Sequence, residues 1–128
     1  MALSVTVSMS SVSGSLSVSG SKSYSGGGRV TLNSTIADSV TDQQHVVAID
    51  VSQIQSIVIV STQNITLETN SASVPADTIA IIAEVPYVWN TDQYFVNLLT
   101  TDITAFYLTN ASGSTATVQM ECVYDDTP

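Results

Sequence analysis

Apolar residues alternate with hydroxyls along the first nineteen positions of the chain. Leu3, Val5, Val7 and Met9 stand at odd positions, with Ser4, Thr6, Ser8 and Ser10 alongside them. At Ser10-Ser11 the phase flips, and Val12, Leu16 and Val18 carry the apolar side at even positions. Strand side chains point alternately to opposite faces, so the segment predicts a ribbon with one apolar and one hydroxyl face. The flip predicts two short strands facing different neighbours rather than one long strand. Residues 20–28 (GSKSYSGGG) read as a flexible Gly/Ser linker with one aromatic, Tyr24. The expected organisation is a strand arm and linker over residues 1–28, followed by a body over residues 29–128.

Beyond the linker, short apolar runs recur at regular spacing. Val30, Leu32 and Ile36 predict a strand, and a polar stretch follows from Asp38 to Gln44. Residues 45–51 predict another, and Ile57–Val60 is continuously β-branched, as in a strand buried on both faces. Ile65, Leu67 and Thr69 alternate with polar residues, the pattern of a half-exposed strand. An apolar run at Ile79–Ala83 follows the loop around Pro75, and Pro86 makes Val85–Trp89 an edge strand or a loop. Tyr94–Leu99 and Ile103–Thr109 predict two further strands. Asn110–Ser114 predicts a hairpin turn with Gly113 at positive φ, and Thr115–Tyr124 is the cleanest alternation of all. Helical periodicity is almost absent, with at most a turn at Ser52–Ser56. Many short strands at even spacing predict an all-β single domain: a β-sandwich, a jelly roll or a small barrel. The arm would extend from it.

Composition narrows what such a domain can do. The 128 residues suit one domain, large enough to bury a core without cross-links. A single cysteine, Cys122, excludes an intrachain disulfide and any multi-cysteine zinc site. Its place in the run Ala116, Val118, Met120, Cys122, Tyr124 marks it as a small buried hydrophobe. Lys22 and Arg29 are the only lysine and arginine against eleven acids, for a net charge of -9. Phosphate backbones and anionic lipids are bound through cations, so neither nucleic acid nor membrane is an expected partner. Twenty Ser and sixteen Thr supply the polarity instead, as suits half-buried strands. The start lacks a basic leader region and no 18-residue apolar run occurs, so the expectation is a soluble chain made in a cytoplasm.

Candidate chemistry is thin. His45 is the only histidine, and Asp50 has the opposite strand parity, so the two would face opposite ways. No G-x-S-x-G elbow is present. Ser19-Gly20-Ser21-Lys22 fits S-x-x-K without its companion motifs, and the Gly14 to Lys22 stretch misses the P-loop spacing. The carboxylates Asp38, Asp42, Asp77, Asp92, Asp102 and Asp125-Asp126 match no EF-hand spacing and read as dispersed surface groups. Asn33, Asn64 and Asn110 open glycosylation sequons, which the expected cytoplasmic origin leaves silent. No catalytic residue, metal ligand or cofactor is therefore predicted. Tyr87, Trp89, Tyr94 and Phe95 share one window, which reads as core or sheet-edge packing or, alternatively, as an interface anchor.

From Ile36 onward, the segments IADSVTDQQ, VAIDVSQIQSIVIVSTQNITLETNS and PADTIAIIAEVPYVWN have a family cadence, continued in YFVNLLTTDITAFYLTN and ASGSTATVQMECVYDDTP. Over residues 36–128 the chain resembles a family of small virion structural proteins of tailed bacteriophages. The resemblance implies an all-β head decoration (cement) protein, seated on the major capsid lattice as a trimer or cluster, without enzymatic activity. The location it implies is the outer capsid surface of the virion, after synthesis in the host bacterial cytoplasm. The arm falls outside the resemblance. Its expected role as an interface through Leu3, Val5, Val7, Met9, Val12, Leu16 and Val18, with Tyr87, Trp89 and Tyr94 as further anchors, rests on the apolar pattern alone. The alternatives are a tail or fibre protein with a carbohydrate- or receptor-binding surface around Trp89 and Tyr94, and a tail-tube subunit.

Overall fold

The last strand shows how the sequence pattern becomes architecture. Ala116, Val118, Met120 and Cys122 all point into the core, and Gln119 lies on the opposite, outer face. A computed structural model describes residues 3–126, and this strand occupies the centre of one of its sheets. After an N-terminal hairpin of β1 (Leu3–Val12) and β2 (Ser17–Gly26), the body holds β3 (Gly28–Ile36), β4 (Gln43–Ile49), β5 (Ile54–Ser61), β6 (Ile65–Thr69), β7 (Thr78–Ile81), β8 (Tyr87–Asn90), β9 (Ile103–Thr109) and β10 (Ala116–Tyr124). One antiparallel sheet has the order β3-β10-β5-β8, the other β4-β9-β6-β7. Numbered from β3, the orders are 1-8-3-6 and 2-7-4-5, the strand order of a jelly roll. The protein is an all-β sandwich, as the strand spacing predicts.

The core lies between the two sheets. Ile36, Ile57, Ile59 and Val118 come from the first sheet, and Leu67, Ile103, Phe106 and Leu108 from the second; all are fully buried. Burial of each such side chain contributes about 1.5–3 kcal/mol, so the two inner faces carry the stability of the body. Asn110, also fully buried, closes the corner between β9 and β10. Its amide donates to the carbonyls of Ile36 (2.9 Å) and Ser114 (2.7 Å), and its Oδ1 accepts from the Ser112 amide (3.1 Å). Gly113 has φ +92°, the positive value expected there. The turn is not a hairpin, however, because β9 and β10 lie in different sheets.

Three further expectations are corrected. The apolar run of β5 is not buried on both faces: Ile57 and Ile59 are, whereas Val58 and Val60 point outward and are half-buried. A β-branched run looks the same in either case. Tyr94–Leu99 is not a strand but an irregular connection. Its polar groups are held by side chains rather than by a ladder: the Tyr87 hydroxyl accepts from the Leu98 amide (2.9 Å), and Asn97 Oδ1 accepts from the Leu99 amide (3.1 Å). Residues 20–28 are not a linker. Residues through Gly26 belong to β2, and Gly27 alone separates it from β3.

The arm is likewise not two strands with different neighbours. β1 runs straight through the phase flip and pairs antiparallel with β2, from Leu3 opposite Gly26 to Val12 opposite Ser17. Reciprocal backbone hydrogen bonds between Ser13 and Leu16 (2.8 and 3.3 Å) close the turn. In this pairing each odd position of β1 faces an even position of β2, and opposed residues share a face. Leu3, Val5, Val7, Met9, Val18 and Tyr24 therefore form one apolar face. The other is a run of hydroxyls, in which the Thr6 and Ser23 side chains bond at 2.8 Å.

Candidate association surface

The root of the hairpin is docked on the body, over the outer face of the β3-β10-β5-β8 sheet. Tyr24 is buried there, and Leu3, Val5 and Val7 are half-buried. Lys22 Nζ reaches Asp92 Oδ2 at 2.6 Å and lies 5.8 Å from the centre of the Tyr24 ring. This hydrogen bond raises the lysine pKa and lowers that of the Asp92 carboxyl. Burial raises the Tyr24 hydroxyl. Both charged side chains of the ion pair are more than half exposed, so the pair adds little and the tyrosine is the anchor. Two glycines permit the close approach. A Cβ on Gly26 would stand 2.1 Å from the Tyr124 carbonyl oxygen, and one on Gly28 would stand 2.1 Å from the Tyr124 ring. The glycines serve tight docking rather than a swinging hinge.

Between the apolar face of β1 and the sheet lies an open cleft of about 530 Å³. Val5, Val7 and Met9 form its roof, and Val58, Val60 and Val88 part of its floor. At its rim Arg29 pairs with Glu121 at 3.3 Å. No residue from Ser10 to Val18 lines it. That outer half of the hairpin runs on without the body beneath it, and Met9, Val12, Leu16 and Val18 are 55–75% exposed. Val12 sits on the hydroxyl face and Leu16 in the turn, so the tip is apolar on more than one side.

The aromatic window separates into a frame and a display. Tyr87 and Trp89 are half-buried and pack against the core. Their polar tips hold the following loop: the Tyr87 hydroxyl donates to Asn97 Oδ1, and Trp89 Nε1 donates to the Phe95 carbonyl (3.1 Å). Burial raises the Tyr87 pKa. Tyr94 is fully exposed, with Phe95, Val96 and Leu98 also turned to solvent. The last two were hidden within the supposed strand at Tyr94–Leu99. The cleft floor and the anchoring of Tyr24 were equally unsuspected, since both depend on which faces meet in three dimensions.

Other candidate residues have local partners. His45 Nε2 lies 3.3 Å from Ser34 Oγ and 3.0 Å from Gln43 Nε2, with burial lowering the imidazole pKa. Neither Ser34 nor His45 lines the cleft. The Asp50 carboxylate accepts from the amide (3.0 Å) and hydroxyl (2.6 Å) of Ser52, capping a 3-10 turn at Val51–Gln53. Asp38, Asp77 and Asp102 accept from loop amides of Gly113, Thr100 and Val51 respectively. Among the described residues no group of three or more His, Cys, Asp or Glu is placed to hold a metal ion. Nor, among them, is any helix long and apolar enough to cross a membrane. Comparison with protein-family models, curated proteins and solved structures gave no match.

Proposed function

We propose that this chain is a structural virion protein that decorates and stabilises the head of a tailed bacteriophage by binding its major capsid lattice as a homo-oligomer, a trimer by the resemblance. The observation that carries the reading is a hairpin whose apolar side chains outrun the sheet beneath it. Burying four such side chains would contribute on the order of 6–10 kcal/mol before ordering costs, enough to drive association. The jelly-roll architecture is also that of many viral capsid domains, although lectins share it and the fold alone does not decide. A net charge of -9 favours solubility before assembly.

A second reading, a tail or fibre protein with a receptor- or carbohydrate-binding surface, has the full exposure of Tyr94 in its favour. It loses Trp89 as a stacking platform, because that ring packs on the core. The test is binding to purified heads that lack the protein. The intact chain should saturate them, and a variant with residues 10–19 replaced by a short turn should bind at least roughly tenfold more weakly. Equal binding by the shortened chain would refute the arm's part in the reading.

A further inference from the structure

The geometry points to a second copy of this chain as the occupant of the cleft: the hairpin tip of one protomer seats in the cleft of the next, in a closed ring. Each copy carries an open, partly apolar cleft under β1 and an unburied apolar tip, so one head-to-tail contact, repeated, engages both surfaces of every copy. A tip cannot serve its own cleft. Its root is fixed by Tyr24 and by the close approach of Gly26 and Gly28 to Tyr124, and residues 10–18 are exposed and lie outside the cleft.

Charge permits a second copy and disfavours a basic partner. A chain of net charge -9 repels its own kind except where neither surface bears net charge. From Leu3 through Ser21 the hairpin has no charged side chain, and the two charges at the cleft, Arg29 and Glu121, neutralise each other. A basic partner would find no carboxylate at the tip to recognise. The match is apolar on both sides: Leu16 and Val18 against Val58, Val60 and Val88. This inference deepens the reading of the chain as an assembly protein. Its test uses the free protein without heads, so failure of self-association and failure of head binding are separate results.

Two single-cysteine additions test it, Val18→Cys at the tip and Val60→Cys in the floor. The natural Cys122 is buried and leaves the new thiols as the reactive ones. Mixed and treated with a short bis-maleimide, the two variants should give a covalent dimer that neither gives alone. The mass of the unmodified protein in solution should be a small multiple of the monomer, and Val18→Asp should weaken association at least roughly tenfold. Val18 is exposed, so this change leaves the fold intact, as circular dichroism can verify. A monomeric unmodified protein even in concentrated solution would overturn the proposal. So would tip-to-tip linkage of Val18→Cys alone, or an oligomer in which the mixed pair does not link.

Discussion

Cys122 sits at the centre of the sandwich, fully buried beside Met120 and Val118, and its thiol is pushed up to about 12 by burial. Thiolate is the reactive form, so the native protein should not react with a thiol reagent near neutral pH and should do so once unfolded. The folded state keeps its proton while the unfolded thiol loses it near pH 9, so stability should fall as pH rises from about 9 to about 12. Cys122→Val should make that fall shallower in denaturant titrations, and an identical slope would exclude the thiol as its source. The burial of this residue was legible from its place in an alternating strand. The roles of Asp38, Asp77 and Asp102 were not, because a carboxylate that accepts loop amides is indistinguishable in sequence from a solvated one. Asn110 opens a sequon in the sequence and is a buried corner clamp in the fold.

The elements follow the same division. Alternation located β6 and β10 well, since each has one face in the core and period two is visible, while β9 shifts parity between Ala105 and Phe106. It misplaced Tyr94–Leu99, where Tyr94, Phe95, Val96 and Leu98 face solvent on a loop held by Tyr87 and Trp89, and Leu99 alone of the run enters the core. The phase flip at Ser10-Ser11 has two sources: Val12, still in β1, crosses to the hydroxyl face, and Val18 changes parity through the turn. When a chain reverses in a hairpin whose partners pair odd with even, the apolar face must change parity between the strands, and Val18 joins Val7 and Met9. Because Tyr24 rather than the Lys22–Asp92 pair anchors this element, Tyr24→Ala should free the hairpin root while the sandwich stays folded. Trypsin should then cut after Lys22 much faster than in the unmodified protein, whereas Lys22→Gln should scarcely alter the thermal midpoint. Unchanged cleavage in Tyr24→Ala would place the anchor elsewhere.

At the scale of the molecule, a jelly roll supplies a rigid body and the docked hairpin supplies a projection of fixed direction. The fold class was legible because many evenly spaced strands without helical period admit few architectures. The strand order was not, since pairings such as β3 with β10 join residues from opposite ends of the body. Nor was the cleft, which exists only where the hairpin's apolar face lies above Val58, Val60 and Val88. The proposed assembly rests on the apolar tip and the cleft, two surfaces without net charge on an acidic molecule. The most direct measurement is the location and copy number of this chain in purified particles, by quantitative mass spectrometry and electron microscopy. Copies are expected on the outer head surface in fixed proportion to the major capsid protein. A few copies confined to the tail, or none in the particle, would contradict it.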